Sequence, residues 1–171
     1  TKLAQRLAET LPNAAFVGLE RLVEGSTASQ MKIDADPEVR ARVERALAWL
    51  VEDGATQSDA LLAVLAKVEA GGPDILVIDI IEQGLDEATQ QALIAHLRRR
   101  GADAKPLFLL TRSSAILELA AVGPHESIIF CHANHSMVAP YPGAPGYEAL
   151  ISCLASPDVR ARTQGVVAMR A

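Results

Sequence analysis

Aromatic residues are scarce in this chain, at 4% of 171 positions, and there is a single tryptophan, Trp49. A core so poor in rings is built from Ala, Leu, Val and Ile, which suits helices stacked on a mostly parallel sheet better than an all-β sandwich. Cysteine is nearly absent, and Cys131 and Cys153 alone make no disulfide framework. No apolar run approaches the roughly 20 residues of a membrane span, and no basic-then-apolar signal segment opens the sequence. Positive charge is not in excess either. With a net charge of -5, no global field recruits nucleic acid or an anionic membrane. These absences predict a soluble cytoplasmic protein with free thiols. What the chain does have is apolar content, 50% of its residues, enough to offset the entropy of ordering. Its length predicts a single α/β domain over residues 1–171.

Periodicity orders the elements. Leu3, Leu7 and Leu11 share one helical face, and Pro12-Asn13 stops that helix. Ala14 to Leu19 then reads as a short buried strand, and Gly25 to Gln30 as a loop. Asp36 and Pro37 open a helix with an N-cap and a proline at its first position, and its apolar stripe runs Val39, Val43, Leu47, Leu50. Ser58 caps a further helix that carries Leu61, Leu65 and Val68 and ends at Gly71-Gly72-Pro73. Asp74 to Ile81 is an apolar run interrupted by one acid, as expected of a strand covered on both faces. Helices are predicted over Glu87 to Arg100, Ile116 to Val122 and Tyr147 to Leu154. Further strands are predicted over Pro106 to Thr111 and Ser127 to Cys131. His132 to Gly146 has no clear element. The alternation implies parallel crossovers and a mostly parallel sheet flanked by helices.

Ligands in such sheets gather at the carboxyl ends of strands. Three candidates fall there: Asp79 with the turn Glu82-Gln83-Gly84-Leu85-Asp86, then Thr111-Arg112-Ser113-Ser114, then His132, Asn134 and His135. A buried acid costs several kcal/mol unless it is paired, hydrogen-bonded or bound to a cation, so Asp79 is the leading candidate.

The stretch PDILVIDIIEQGLDEATQQALIAHLRRR, then PLFLLTRSSAIL, then ESIIFCHANHSMVAPYPGAPGYEALISCLASPDV resembles the second half of an ABC-type ATPase. The opening TKLAQRLAETLPNAAFVGLE resembles the helix and strand that follow a Walker A loop. The resemblance implies a P-loop NTPase-like fold, with ATP and Mg²⁺ as cofactors. It makes Asp79 the Walker B aspartate and Mg²⁺ ligand, and Thr1 a second ligand. Thr111 and Arg112 stand at the switch position, and Gly84, Leu85 and Asp86 form the D-loop, where two cassettes meet in the family. A homodimer or a protein partner is therefore implied.

The departures are as informative. No GxxxxGK[ST] occurs in the sequence, so the backbone cradle and lysine that hold phosphates are missing. Either the chain begins just after such a loop or it does not bind nucleotide in the family's way. Ile80 stands where the catalytic glutamate belongs, which leaves Glu82 as the nearby base candidate. Arg112 replaces the switch histidine, and Ala55 to Asp59 lacks the glycines of the signature loop. The expectation is a degenerate ABC-type ATPase-like module, binding nucleotide or a protein partner without independent hydrolysis.

Receiver domains offer a second resemblance. Asp79-Ile80-Ile81-Glu82-Gln83-Gly84-Leu85-Asp86 is similar to their phosphoacceptor turn, with Gln83 in place of proline. Asp34 would help bind Mg²⁺ and Thr111 would be the switch hydroxyl, while Ala35 stands where a second acid is usual. Cys131, His132 and His135, or the histidines with Cys153, could form a metal cluster. Zinc usually takes four ligands, however, and no second pair stands at suitable spacing, so a loop with surface histidines is expected. Arg98-Arg99-Arg100 reads as a solvated helix end, with room for a phosphate or an acidic partner, and Trp49 reads as packing.

Overall fold

The computed structural model describes residues 2–23, 31, 33–101, 103–117, 121–129 and 137–138. The chain divides into two compact units, residues 1–111 and 112–171. In the first, the elements run α1 (Lys2–Thr10), β1 (Ala14–Val17), α2 (Glu20–Val23), α3 (Pro37–Glu52), α4 (Asp59–Glu69), β2 (Ile75–Asp79), α5 (Glu87–Arg98) and β3 (Leu107–Leu110). The strands form one parallel sheet in the order β1-β2-β3, with β2 central. The fold is α/β, a small three-stranded parallel sheet with helices.

Local chemistry accounts for the helix starts. Asp36 accepts hydrogen bonds from the N–H groups of Glu38 and Val39, at 2.9 and 3.2 Å, and Pro37 occupies the first helical position without wasting a donor. Ser58 Oγ caps α4 through the Leu61 N–H at 3.2 Å. Asn13 stops α1 in a left-handed conformation, φ +46°, which asparagine tolerates. Its amide donates to Asp74 Oδ2 at 2.9 Å, tying together the entries to β1 and β2.

Phe16, Val77 and Phe108 sit in register across the sheet and pack with Ala4, Leu7 and Ala8 of α1 and with Leu11 just after it. That row defines the face covered by α1. Leu76 and Ile78 alternate to the other face and are also buried. Only three residues join α1 to β1, and α1 packs on both β1 and β2, so it must run back along the strands. Its N-terminus therefore lies at the carboxyl edge of the sheet. The helix pair α3 and α4 packs together, and α2 packs on α4.

Strand β2 is shorter than its apolar run. It ends at Asp79 because Ile80 turns to φ +49° and leaves the extended conformation. In the second unit, Ser113 Oγ accepts from the Ala115 and Ile116 N–H groups and opens a turn at 114–117. The helix expected over Ile116 to Val122 is thus not a helix at 116–117; residues 118–120 lie outside those described. A strand is present within the stretch expected from Ser127, but its place in the parallel sheet is corrected. β4 (Ile128–Ile129) pairs antiparallel with β5 (Met137–Val138) in a separate sheet, because a hairpin partner nearby in sequence supplies its ladder. β5 also gives an element to a stretch expected to have none. The segment Tyr147 to Leu154 lies outside the described residues.

Candidate functional site

The carboxyl edge of the sheet is organised around Asp79. In the alternation of β2 it shares the α1 face with Val77 and is in register with Leu110. Its residue is 4% exposed, among the most buried charged residues of the described chain. The expected buried carboxylate at the end of a core strand is therefore present.

A residue not anticipated from the sequence shapes this edge. Arg21 on α2 is 1% exposed and reaches across from β1 to the end of β2. Its Nη1 donates to the carbonyls of Gly18 at 2.7 Å and Asp79 at 3.1 Å, and its Nη2 donates to the Ile80 carbonyl at 2.7 Å. Burial pulls the guanidinium below its ordinary pKa, while the charges of Glu20 and Glu82 oppose that. Glu82 thus acts electrostatically on the same arginine. The signal in the sequence was faint, a lone arginine between Glu20 and Leu22 just after a strand.

The turn after Asp79 is built from two overlapping reversals. Gln83 N–H donates to Ile80 O at 3.1 Å and Leu85 N–H to Glu82 O at 3.0 Å. Gly84 sits at φ +82°, and a Cβ there would meet the Cβ of Ala60 at 2.9 Å, so the position needs glycine for both conformation and space. Leu85 is buried within the chain. Asp86 caps α5, accepting from the Thr89 N–H at 2.7 Å. That bond, with the hydroxyls of Thr89 and Thr56, holds its carboxyl below the usual range. Of the three D-loop candidates, Gly84 and Asp86 face solvent and Leu85 does not.

Thr111 is half-buried just past β3, and Arg112 is exposed at the start of the second unit. Thr1 and the segment Cys131 to His135 lie outside the described residues. Asp34, the acid weighed for the receiver reading, is exposed and paired with Arg40.

The fit to Mg²⁺ and ATP is partial. Asp79 and Glu82 offer the carboxylate oxygens that Mg²⁺ prefers. The lysine-ended glycine loop that would hold phosphates is not in the sequence. Among the described residues, no three His, Cys, Asp or Glu side chains converge as a metal site. No helix among them is long and apolar enough to cross a membrane. Comparison with protein-family models, curated proteins and solved structures gives no match to this chain.

Proposed function

We propose that the chain is a degenerate relative of the ABC-type ATPases, with a P-loop NTPase-like fold. In this reading it binds an Mg²⁺-nucleotide at the carboxyl edge, or assembles with a protein partner there, and does not hydrolyse ATP alone. The observation that supports it is that Asp79 ends β2 on the face covered by α1, and that the N-terminus of α1 lies at the same carboxyl edge of the sheet. Helix N-termini favour phosphate, and a strand-end carboxylate favours the accompanying cation. Ile80, next in sequence, has no side-chain oxygen to orient an attacking water, which is why turnover is not expected. Asp79 would hold the cation and Glu82 would be the nearest base.

Calorimetry and thermal shift with Mg²⁺ and a non-hydrolysable ATP analogue test this. Saturable binding that weakens at least tenfold in Asp79→Asn, with no phosphate release from ATP, is the expected result. Absence of both heat and thermal shift would remove the nucleotide and leave assembly, read by sedimentation. Stable labelling of Asp79 by acetyl phosphate would instead favour the receiver reading.

A further inference from the structure

A basic groove lies at the other edge of the first unit. α4 leads into β2 and α5 leads into β3, so the C-terminal ends of these helices lie at the amino edge of the sheet, away from Asp79. Between them and α3 lies a groove of about 410 Å³, lined by Arg42, Arg45, Trp49, His96, Arg99 and Arg100, with Glu69 as its one carboxylate. Four guanidinium groups thus converge in a protein whose net charge is -5.

The groove is organised, not a loose collection of surface cations. The guanidinium carbon of Arg99 lies 4.1 Å from the centre of the Trp49 ring, and the rings of Trp49 and His96 are 5.4 Å apart. Arg42 donates through Nε and Nη2 to the Glu69 carbonyl at 3.2 and 2.9 Å. Glu69 Oε1 lies 3.9 Å from His96 Nε2 and its Oε2 lies 3.9 Å from Arg42 Nε. His96 first, then Arg100 and Arg42, hold the Glu69 carboxyl below its usual range against the effect of burial. Nearby Lys105 is pulled below its ordinary value, by burial first and then by the charge of Arg100.

Cations at helix C-termini often do no more than offset the dipole and bond the last carbonyls. That explanation covers Arg42. It does not cover Arg45, which lies mid-helix on α3 and makes no ion pair among the described residues. Nor does it cover Arg100, whose Nη1 is buried and meets no hydrogen-bond acceptor. Guanidinium forks match the paired oxygens of a phosphoryl group, and the volume is ample for one.

We propose that this groove binds a small phosphate-bearing anion, a diphosphate or phosphomonoester, through Arg45 and Arg100, as a site separate from Asp79. Trp49 is the only tryptophan in the chain, so its fluorescence reports on this groove alone.

The test titrates the whole protein with pyrophosphate and with AMP, both without Mg²⁺ and at constant ionic strength, following Trp49 emission. A saturable change is expected with at least one of them, and which one identifies the carrier of the phosphate. Arg100→Gln and Arg45→Gln should each weaken it about tenfold. Asp79→Asn should leave it unchanged, which separates this site from the nucleotide reading. Arg45 is exposed, so its substitution is tolerated by the fold and keeps the test decisive if Arg100→Gln is unstable. No saturable response up to ~10 mM, an equal response to malonate, or parent-like binding by Arg45→Gln would overturn the proposal.

Discussion

Arg21 and Ile80 are held together at 2.7 Å, the guanidinium Nη2 of one donating to the carbonyl of the other. That isoleucine has φ +49°, a conformation that costs an L-residue with a branched side chain roughly 1–2 kcal/mol. The strained turn after Asp79 is thus secured from a different element. Removing the arginine while leaving three carbonyls without its donors should cost about 2–4 kcal/mol. Urea unfolding of Arg21→Met measures this. A loss under about 0.5 kcal/mol would show that the carbonyls find other partners.

Gly84 and Gly72 separate conformation from space. Both have positive φ, +82° and +110°, but a Cβ meets Ala60 only at Gly84. Gly72→Ala should cost roughly 1 kcal/mol, from backbone strain alone. Gly84→Ala should cost about 2 kcal/mol or more, because the Ala60 contact must also shift. Equal losses in the two variants would place the whole effect in the backbone.

Acid should destabilise the first unit through Asp86 and Glu69. Both carboxyls have folded pKa values below their ordinary ones. Their contribution is present above the unfolded carboxylate pKa, near 4, and is lost as pH falls through the lower folded values. Denaturant midpoints measured across this range should fall toward low pH. Asp86→Ala should cost about 1 kcal/mol at neutral pH by removing the α5 cap, and should flatten the acid limb. An unchanged limb would assign the acid sensitivity elsewhere.

Arg99 lies over the ring of Trp49, and both line the groove. Arg99→Ala should remove a cation–π contact worth about 0.5–1 kcal/mol and alter the tryptophan emission. Emission identical to the parent's would mean that the two groups do not stay stacked in solution.

Caps and apolar runs were legible because they are local. Asp36, Pro37 and Ser58 announce helix starts through bonds that span two or three residues. The run around Leu76 to Ile78 announces a covered strand by composition, and Asp79 stands out in it as the acid that needs a reason to be buried. Arg21 was hidden because two of its three acceptors arrive from 58 and 59 residues further along the chain. Nothing in the neighbours of Ile128 says whether it joins a parallel sheet or a hairpin, and the hairpin prevails. The basic groove was half visible. The run Arg98 to Arg100 was plain, but its convergence with Arg42, Arg45 and Trp49 depends on how α3 and α5 pack.

The pairing of Ala14 with Ile75 has a kinetic consequence. A ladder between strands so distant in sequence gains nothing until the whole intervening segment has closed on itself, and closure entropy opposes that step. The α3–α4 hairpin lies inside the loop and needs no such closure. It is therefore expected to gather first on refolding, with β1 arriving late. Conservative truncation at Val17 should then speed unfolding while scarcely slowing folding, and the reverse pattern would make β1 part of the nucleus.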